Sequence, residues 1–214
     1  MQSKYNKFIS CDFETGGLPN SSMRAFYDVP ITEIALVSIS EDLEIENSGS
    51  WLVKPYKEGL EYSKGAEIAS GISKQMVEEQ GENLEEVFKK VLQFLKNCKT
   101  DSRLPVIFGH NFIKFDSAFM VNMFEYFKTD ITKYLNPEAE DTLKWSRFMW
   151  KESVNYKLGT CCSNAGITLQ DAHRAMSDTQ ATAEIFVYFM KNLRGENFNK
   201  KGIETKKFRD TFEI

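Results

Sequence analysis

Residues Ile31 to Ile39 read ITEIALVSI, with a nearly continuous apolar run from Ile34 to Val37. A half-exposed strand alternates polar and apolar side chains, so this one is expected to be buried on both faces of a sheet. Around it, Tyr5 to Asp12 reads as a strand bounded by the turn signal Thr15-Gly16-Gly17. Ser50 to Val53, stopped by Pro55, completes an antiparallel meander. Val106 to Phe108, between Pro105 and Gly109, has the character of a short buried strand.

Helical spacing fills the intervals. Leu84, Val87, Val91, Leu92 and Leu95 mark one face of a helix over 84–98, with Lys89 and Lys90 towards solvent. Asn83 is its expected N-cap, and Glu86 suits a capping box. Residues 115–127 place Phe119, Met120, Met123, Phe124 and Phe127 on one side. Asp141 is expected to cap a short helix through Trp150, and 157–165 forms another. The stretch 177–193 carries Ala181, Ile185, Tyr188 and Phe189 at core spacing. Phe119, Phe124, Trp145, Phe148 and Trp150 are read as core residues of these helices. The order strand-strand-strand-helix-strand-helix-helix predicts an α/β domain with a mixed sheet. One domain of 214 residues can bury roughly 70% of the surface its unfolded chain exposes, so it needs neither disulfide nor metal to fold. That domain is read as residues 1–194, followed by a polar tail of mixed charge over 195–214.

Composition narrows the function. Hydrophobic residues at 42% and charged residues at 27% are near the globular average and argue against disorder. No apolar run reaches the ~18 residues of a membrane span, and the start MQSKYNKFIS lacks a signal-peptide core. Cys11, Cys98, Cys161 and Cys162 form no C-x-x-C pair, and neither His110 nor His173 is spaced with a cysteine as zinc sites require. Four reduced thiols and a cytoplasmic setting are expected. A net charge of −4 supplies no global field for nucleic acid, so a polyanion must be held locally or through bound cations. No G-x-x-x-x-G-K-[ST] loop is present, which disfavours an NTPase.

Four acids stand where acids are costly unless used. Asp12 and Glu14 lie two apart at the end of a strand, so both take one face while Phe13 takes the other. Asp116 opens a helix soon after the strand ending at Gly109, and Asp178 sits near the start of the last helix. Sites of α/β proteins lie at strand carboxyl ends, and four carboxylates gathered there repel unless cations neutralise them. Hard oxygen donors in this number suit Mg²⁺ or Mn²⁺ rather than zinc. Two such ions can polarise a phosphodiester, hold an attacking hydroxide and stabilise the leaving 3′ oxygen. His173 offers a base for the water. On one continuous helix it would point about 140° away from Asp178, so it is expected on the preceding loop. Taken singly, each of these residues is most simply a solvated strand end, a helix-start acid or a structural histidine.

The segments Asp12-Phe13-Glu14-Thr15-Gly16-Gly17-Leu18, Gly109-His110-Asn111 with Phe115-Asp116, and His173-Arg174-Ala175-Met176-Ser177-Asp178 resemble the three motifs of the DEDDh 3′–5′ exonucleases. This is the superfamily of the proofreading subunit of bacterial replicative DNA polymerase, RNase T and exonuclease I. The motifs run in the family's order over about four-fifths of the chain. The resemblance implies an RNase H-like mixed β-sheet flanked by helices. It implies Asp12, Glu14, Asp116 and Asp178 as the holders of two Mg²⁺ (or Mn²⁺) ions, and His173 as the general base. Thr15, Gly16 and Gly17 match the turn against the terminal nucleotide, Leu18 an apolar wedge beside the last base, and His110 and Asn111 a strand end bordering the substrate. One departure stands out: Phe112, Ile113 and Lys114 make three residues before the Phe-Asp pair, where many polymerase-associated members have two.

The expected function is a metal-dependent 3′–5′ exonuclease that releases nucleoside 5′-monophosphates from single-stranded DNA, with a polymerase or another repair protein as possible partner and no membrane. The Thr-Gly-Gly-Leu turn favours DNA, and trimming of RNA or oligoribonucleotides is the alternative. A catalytically idle binding module is the reading of another class, and the presence of all four acids and the histidine speaks against it.

Overall fold

The computed structural model describes residues 6–19, 24–100, 103–169 and 173–195. Its strands are β1 (Phe8–Thr15), β2 (Ile31–Ile39), β3 (Ile45–Leu52), β4 (Val106–Gly109) and β5 (Glu140–Asp141). Its helices are α1 (Ala25–Asp28), α2 (Lys64–Ser70), α3 (Lys74–Gln80), α4 (Leu84–Asn97), α5 (Asp116–Tyr126), α6 (Thr142–Met149), α7 (Leu158–Ala165) and α8 (Ala175–Leu193). The strands form one mixed sheet in the order β3-β2-β1-β4-β5. β1, β2 and β3 are the expected antiparallel meander, while β4 joins β1, and β5 joins β4, in parallel.

β2 is buried at every residue, as its apolar run requires, and the two faces of the sheet have different covers. On one, Ile9, Cys11 and Phe13 of β1 and Ile34 and Leu36 of β2 pack with Val87, Phe88 and Val91 of α4 and Phe119, Met120 and Met123 of α5. The pleat sends Ser10, Asp12 and Glu14 to the other face, which α8 covers. There Val37, Ile39 and Phe108 meet Ala183 and Phe186, with the Phe108 and Phe186 rings stacked at 4.2 Å between centroids. The Ser10 hydroxyl donates to the Thr179 carbonyl at 3.0 Å, a buried bond that ties β1 to the first turns of α8. α7 packs on the outer side of α8 through Cys161 and Cys162.

Several expectations need correction. β1 runs to Thr15, three residues past the expected end, and the Tyr5 end of that reading lies outside the described residues. β3 begins at Ile45 because it is an edge strand whose first four residues are exposed, so no buried periodicity marks it. Asn83 does precede α4, but its side chain makes no capping bond, and Glu86 pairs instead with Lys89 at 2.8 Å. Asp141 caps α6 through the Leu143 N–H. Phe148 is not core: α6 turns Thr142 and Ser146 inward, leaving Phe148 75% exposed. The four cysteines are free, and no described helix is long and apolar enough to cross a membrane. Of the expected tail, residues 196–214 lie outside the described residues.

Candidate active site

The pleat of β1 and the placement of α8 bring three acids together. One carboxylate oxygen each from Asp12, Glu14 and Asp178 can be chosen so that all lie within 4.8 Å of one another. Asp116, at the start of α5, is buried and accepts at 3.1 Å the N–H of Phe13, the residue between Asp12 and Glu14, which holds it beside β1. It lies outside that 4.8 Å group but interacts electrostatically with both acids. Burial, then the charges of Asp178 and Glu33, push Asp12 up to about 7. Burial, then Asp12, Asp178 and Glu33, push Glu14 up to about 8, against the opposing pull of Arg174. Asp116 is held well above the carboxylate range by burial and by Asp12. Asp178 is raised by burial and partly restrained by His173. Crowded, dehydrated oxygen donors of this kind are what a hard dication neutralises. The residues fit a hard divalent cation.

His173 lies on the loop before α8, as expected from its spacing, and is exposed. Its backbone is left-handed, with φ 71°, and its N–H donates to Asp178 Oδ1 at 3.4 Å. The Thr15-Gly16-Gly17 turn is fixed on both sides. Gly16 donates to the Pro30 carbonyl at 2.8 Å and accepts the Ser63 N–H at 2.6 Å, while the Thr15 hydroxyl donates to the Gly17 carbonyl at 2.7 Å. A Cβ on Gly16 would sit 2.5 Å from Pro30 Cγ, so the close approach requires glycine. This turn edges a cleft of about 440 Å³ beside Glu14, walled by Phe13, Phe115, Ala66 and Ala69, with Leu18 on its rim. Leu18 is 83% exposed.

His110 and Asn111 are occupied differently. The imidazole of His110 faces the Tyr156 carbonyl at 2.8 Å through Nε2 and the Thr142 hydroxyl at 3.0 Å through Nδ1, so both ring nitrogens are engaged within the protein. Burial lowers its pKa and favours the neutral ring. Asn111 is left-handed, φ 70°, a conformation asparagine tolerates. Its N–H and that of Ile113 both donate to Asp141. The three residues between Asn111 and Phe115 form a 3-10 turn, Phe112–Lys114. Asp116 follows directly on this turn and Phe115, where it reaches the Phe13 N–H.

The RNase T family model, described as "Exonuclease", matches residues 9–186. The chain belongs to this exonuclease family. It is a member of the DEDDh 3′–5′ exonuclease superfamily. The DNA polymerase III PolC-type of Clostridium perfringens is 30% identical over 191 residues, covering 89% of this chain and 12% of that protein. The Thermotoga petrophila counterpart is 28% identical over 210 residues, 96% of this chain and 13% of that protein. The exonuclease chain thus spans about an eighth of these relatives. The crystal structure of E. coli Exonuclease I in complex with a dT13 oligonucleotide superposes with a TM-score of 0.72 at 20% identity, over 91% of this chain and 43% of that one. The zinc-bound Exonuclease I–ssDNA complex gives 0.72 at 19%, over 92% and 42%. The shared fold is RNase H-like: a mixed sheet flanked by helices.

Two residues escaped sequence reasoning. Glu33 in β2 is 3% exposed and binds Arg174, the residue after the candidate base, through two hydrogen bonds. The available signal was an acid inside a strand otherwise too apolar to meet water. Asp141 was legible as a cap, but its two bonds to the turn after β4 were not.

Proposed function

We propose that this exonuclease removes nucleoside 5′-monophosphates from the 3′ end of single-stranded DNA. The convergence of Asp178, from the distant helix α8, with Asp12 and Glu14 of β1 within 4.8 Å is the observation that carries the reading. When bound, two Mg²⁺ or Mn²⁺ ions on Asp12, Glu14, Asp116 and Asp178 would supply Lewis-acid charge to the scissile phosphate. The chain's own groups do the rest. His173, exposed beside Asp178, takes the proton of the attacking water. The rigid Thr15-Gly16-Gly17 turn lies against the terminal nucleotide, and the apolar walls of the cleft receive its base. Leu18 on the rim separates that base from the next. Contacts of this type tolerate any base, because every base has an apolar face. With His110 and Asn111 tied to Thr142, Tyr156 and Asp141, their role in this reading is to hold the strand end that borders the substrate.

Similarity to PolC-type DNA polymerases and to a nuclease crystallised with dT13 supports DNA as the polymer and a DNA polymerase as partner enzyme. The four free thiols fit a reducing cytoplasm. The test is degradation of matched 5′-labelled single-stranded DNA and RNA with Mg²⁺ or Mn²⁺, beside EDTA and an Asp12→Ala control. A metal-dependent ladder shortening from the 3′ end, faster on DNA and absent in the control, is expected. Faster loss of RNA would make the protein an exoribonuclease. No cleavage of either polymer by folded protein would leave a binding module.

A further inference from the structure

Glu33 is a buried carboxylate in the most apolar strand of the sheet, directly opposite Glu14 in the β1–β2 register. A charge so placed is costly unless it is paired and hydrogen-bonded. Its oxygens are used fully. Oε2 accepts Arg174 Nε–H at 3.2 Å and Oε1 accepts Arg174 Nη2–H at 3.2 Å, a two-pronged pairing. Oε2 also accepts the Ala175 N–H at 3.2 Å, and Oε1 accepts the Ser50 hydroxyl at 2.6 Å. Three of these four bonds go to the two residues that join His173 to α8.

The Ala175 amide belongs to the first turn of α8, where backbone N–H groups lack partners within the helix. Arg174, at the N-cap position, makes no side-chain cap. Glu33 therefore caps α8 from a neighbouring element. One residue earlier, His173 holds a left-handed backbone, φ 71°, which costs a non-glycine residue free energy and persists only where its surroundings over-determine it. One side of that constraint is the His173 N–H bond to Asp178. The other is the pair of anchors Glu33 places on the next two residues.

We propose that Glu33 is a positioning residue for hydrolysis: by fixing Arg174 and Ala175 it holds His173 against Asp178 in the geometry proton transfer requires. The inference rests on His173 being the base of the proposed reaction. Glu33 touches no reacting atom in this scheme; besides the charge it presents to Asp12 and Glu14, it acts through the loop.

The experiment uses the full chain, a 5′-labelled oligo-dT substrate and Mn²⁺. Steady-state rates are measured for the parent, Glu33→Gln, Arg174→Ala, His173→Ala and the Glu33→Gln/His173→Ala double variant, with thermal melts of each. Misplacing a reacting group by about 1 Å can cost on the order of 10²-fold. Glu33→Gln is accordingly expected to lower kcat by about 10- to 100-fold with KM changed by less than about 2-fold, and Arg174→Ala to follow in the same direction. In the His173→Ala background the Glu33→Gln change should be nearly silent, within about 2-fold, because the group it positions is gone. A merely structural role would make the two losses multiply. Equal proportional losses in both backgrounds, or no loss from either single variant, overturn the inference. If Glu33→Gln melts below the assay temperature, Arg174→Ala, whose side chain is partly exposed, carries the same cycle with His173→Ala. An active parent whose His173→Ala variant keeps the full rate removes the assigned base, and the inference with it. A parent inert on every polymer overturns the functional reading itself.

Discussion

Burial and facing carboxylates push Asp12 up to about 7 and Glu14 up to about 8. In an unfolded chain both would titrate near 4. A raised folded-state pKa means that the folded protein binds protons the unfolded chain has already lost. The contribution of these groups to stability is therefore complete below about pH 4 and disappears as pH rises through about 7 to 8. Metal-free protein should lose stability from this source between pH 5.5 and pH 8.5, and Mg²⁺ or Mn²⁺ should raise its melting temperature more at pH 8.5 than at pH 5.5. Melts in EDTA and in excess cation at both values test this; an equal cation effect at the two would remove the carboxylate cluster as its origin. Asp12→Asn takes one charge out of the cluster. In EDTA at pH 8 it should melt higher, by ~2–4 °C for each ~1 kcal/mol of relieved repulsion. It should also lose hydrolysis by more than the about 10–100-fold typical of changing a group one step behind a metal ligand. At this scale the placement of the four acids and His173 was readable in sequence: Asp12 and Glu14 alternate onto one face of β1, Asp116 and Asp178 stand in the first turns of α5 and α8, and His173 precedes α8. Glu33 was not, since its partner lies 141 residues away and nothing local names it.

Among the elements, length decided what could be read. α4 and α8 repeat their apolar residues over several turns, and β2 is apolar almost throughout, so each declared itself. α1, α2 and α3 span four to seven residues, too few for a period to emerge. β5 has two residues and exists because Asp141 pairs with Gly109 of β4. Phe148 was misassigned because an eight-residue helix such as α6 offers little periodicity to separate its inner and outer faces. Gly109 is a sharper case. A Cβ there would lie 2.6 Å from the Cys11 carbonyl oxygen, backbone that cannot step aside. Gly109→Ala should force β4 away from β1 next to Asp12, costing about 1–3 kcal/mol. A lower urea midpoint with an unchanged slope would register it, and an unchanged midpoint would mean that the two strands are less tightly joined than their contact indicates.

For the molecule as a whole, the mixed sheet and its place among α/β folds followed from the order of strong elements, whereas the division of labour between the sheet's two faces did not. α4 and α5 seal one face with large apolar side chains. α8 seals part of the other with Ala183 and Phe186 while presenting Asp178 from its first turns. Phe186→Ala should cost about 3–5 kcal/mol as a buried aromatic deletion, and because Phe186 helps seat the helix that carries Asp178, the cation-induced rise in melting temperature should shrink as well. Calorimetry with and without Mn²⁺ separates the two effects; full retention of the cation response would show that Asp178 is seated without help from that ring.

The bond from Ser10 to Thr179 joins residues 169 positions apart in the chain. During synthesis the strand bearing Asp12 and Glu14 leaves the ribosome long before the helix bearing Asp178, so a nascent chain lacks one of its acids until nearly all of the domain has emerged. Until then Val37, Ile39 and Phe108 also have no Ala183 or Phe186 to cover them. A chain halted before Ala175 would consequently lack Asp178 from the carboxylate cluster and leave that face of the sheet uncovered.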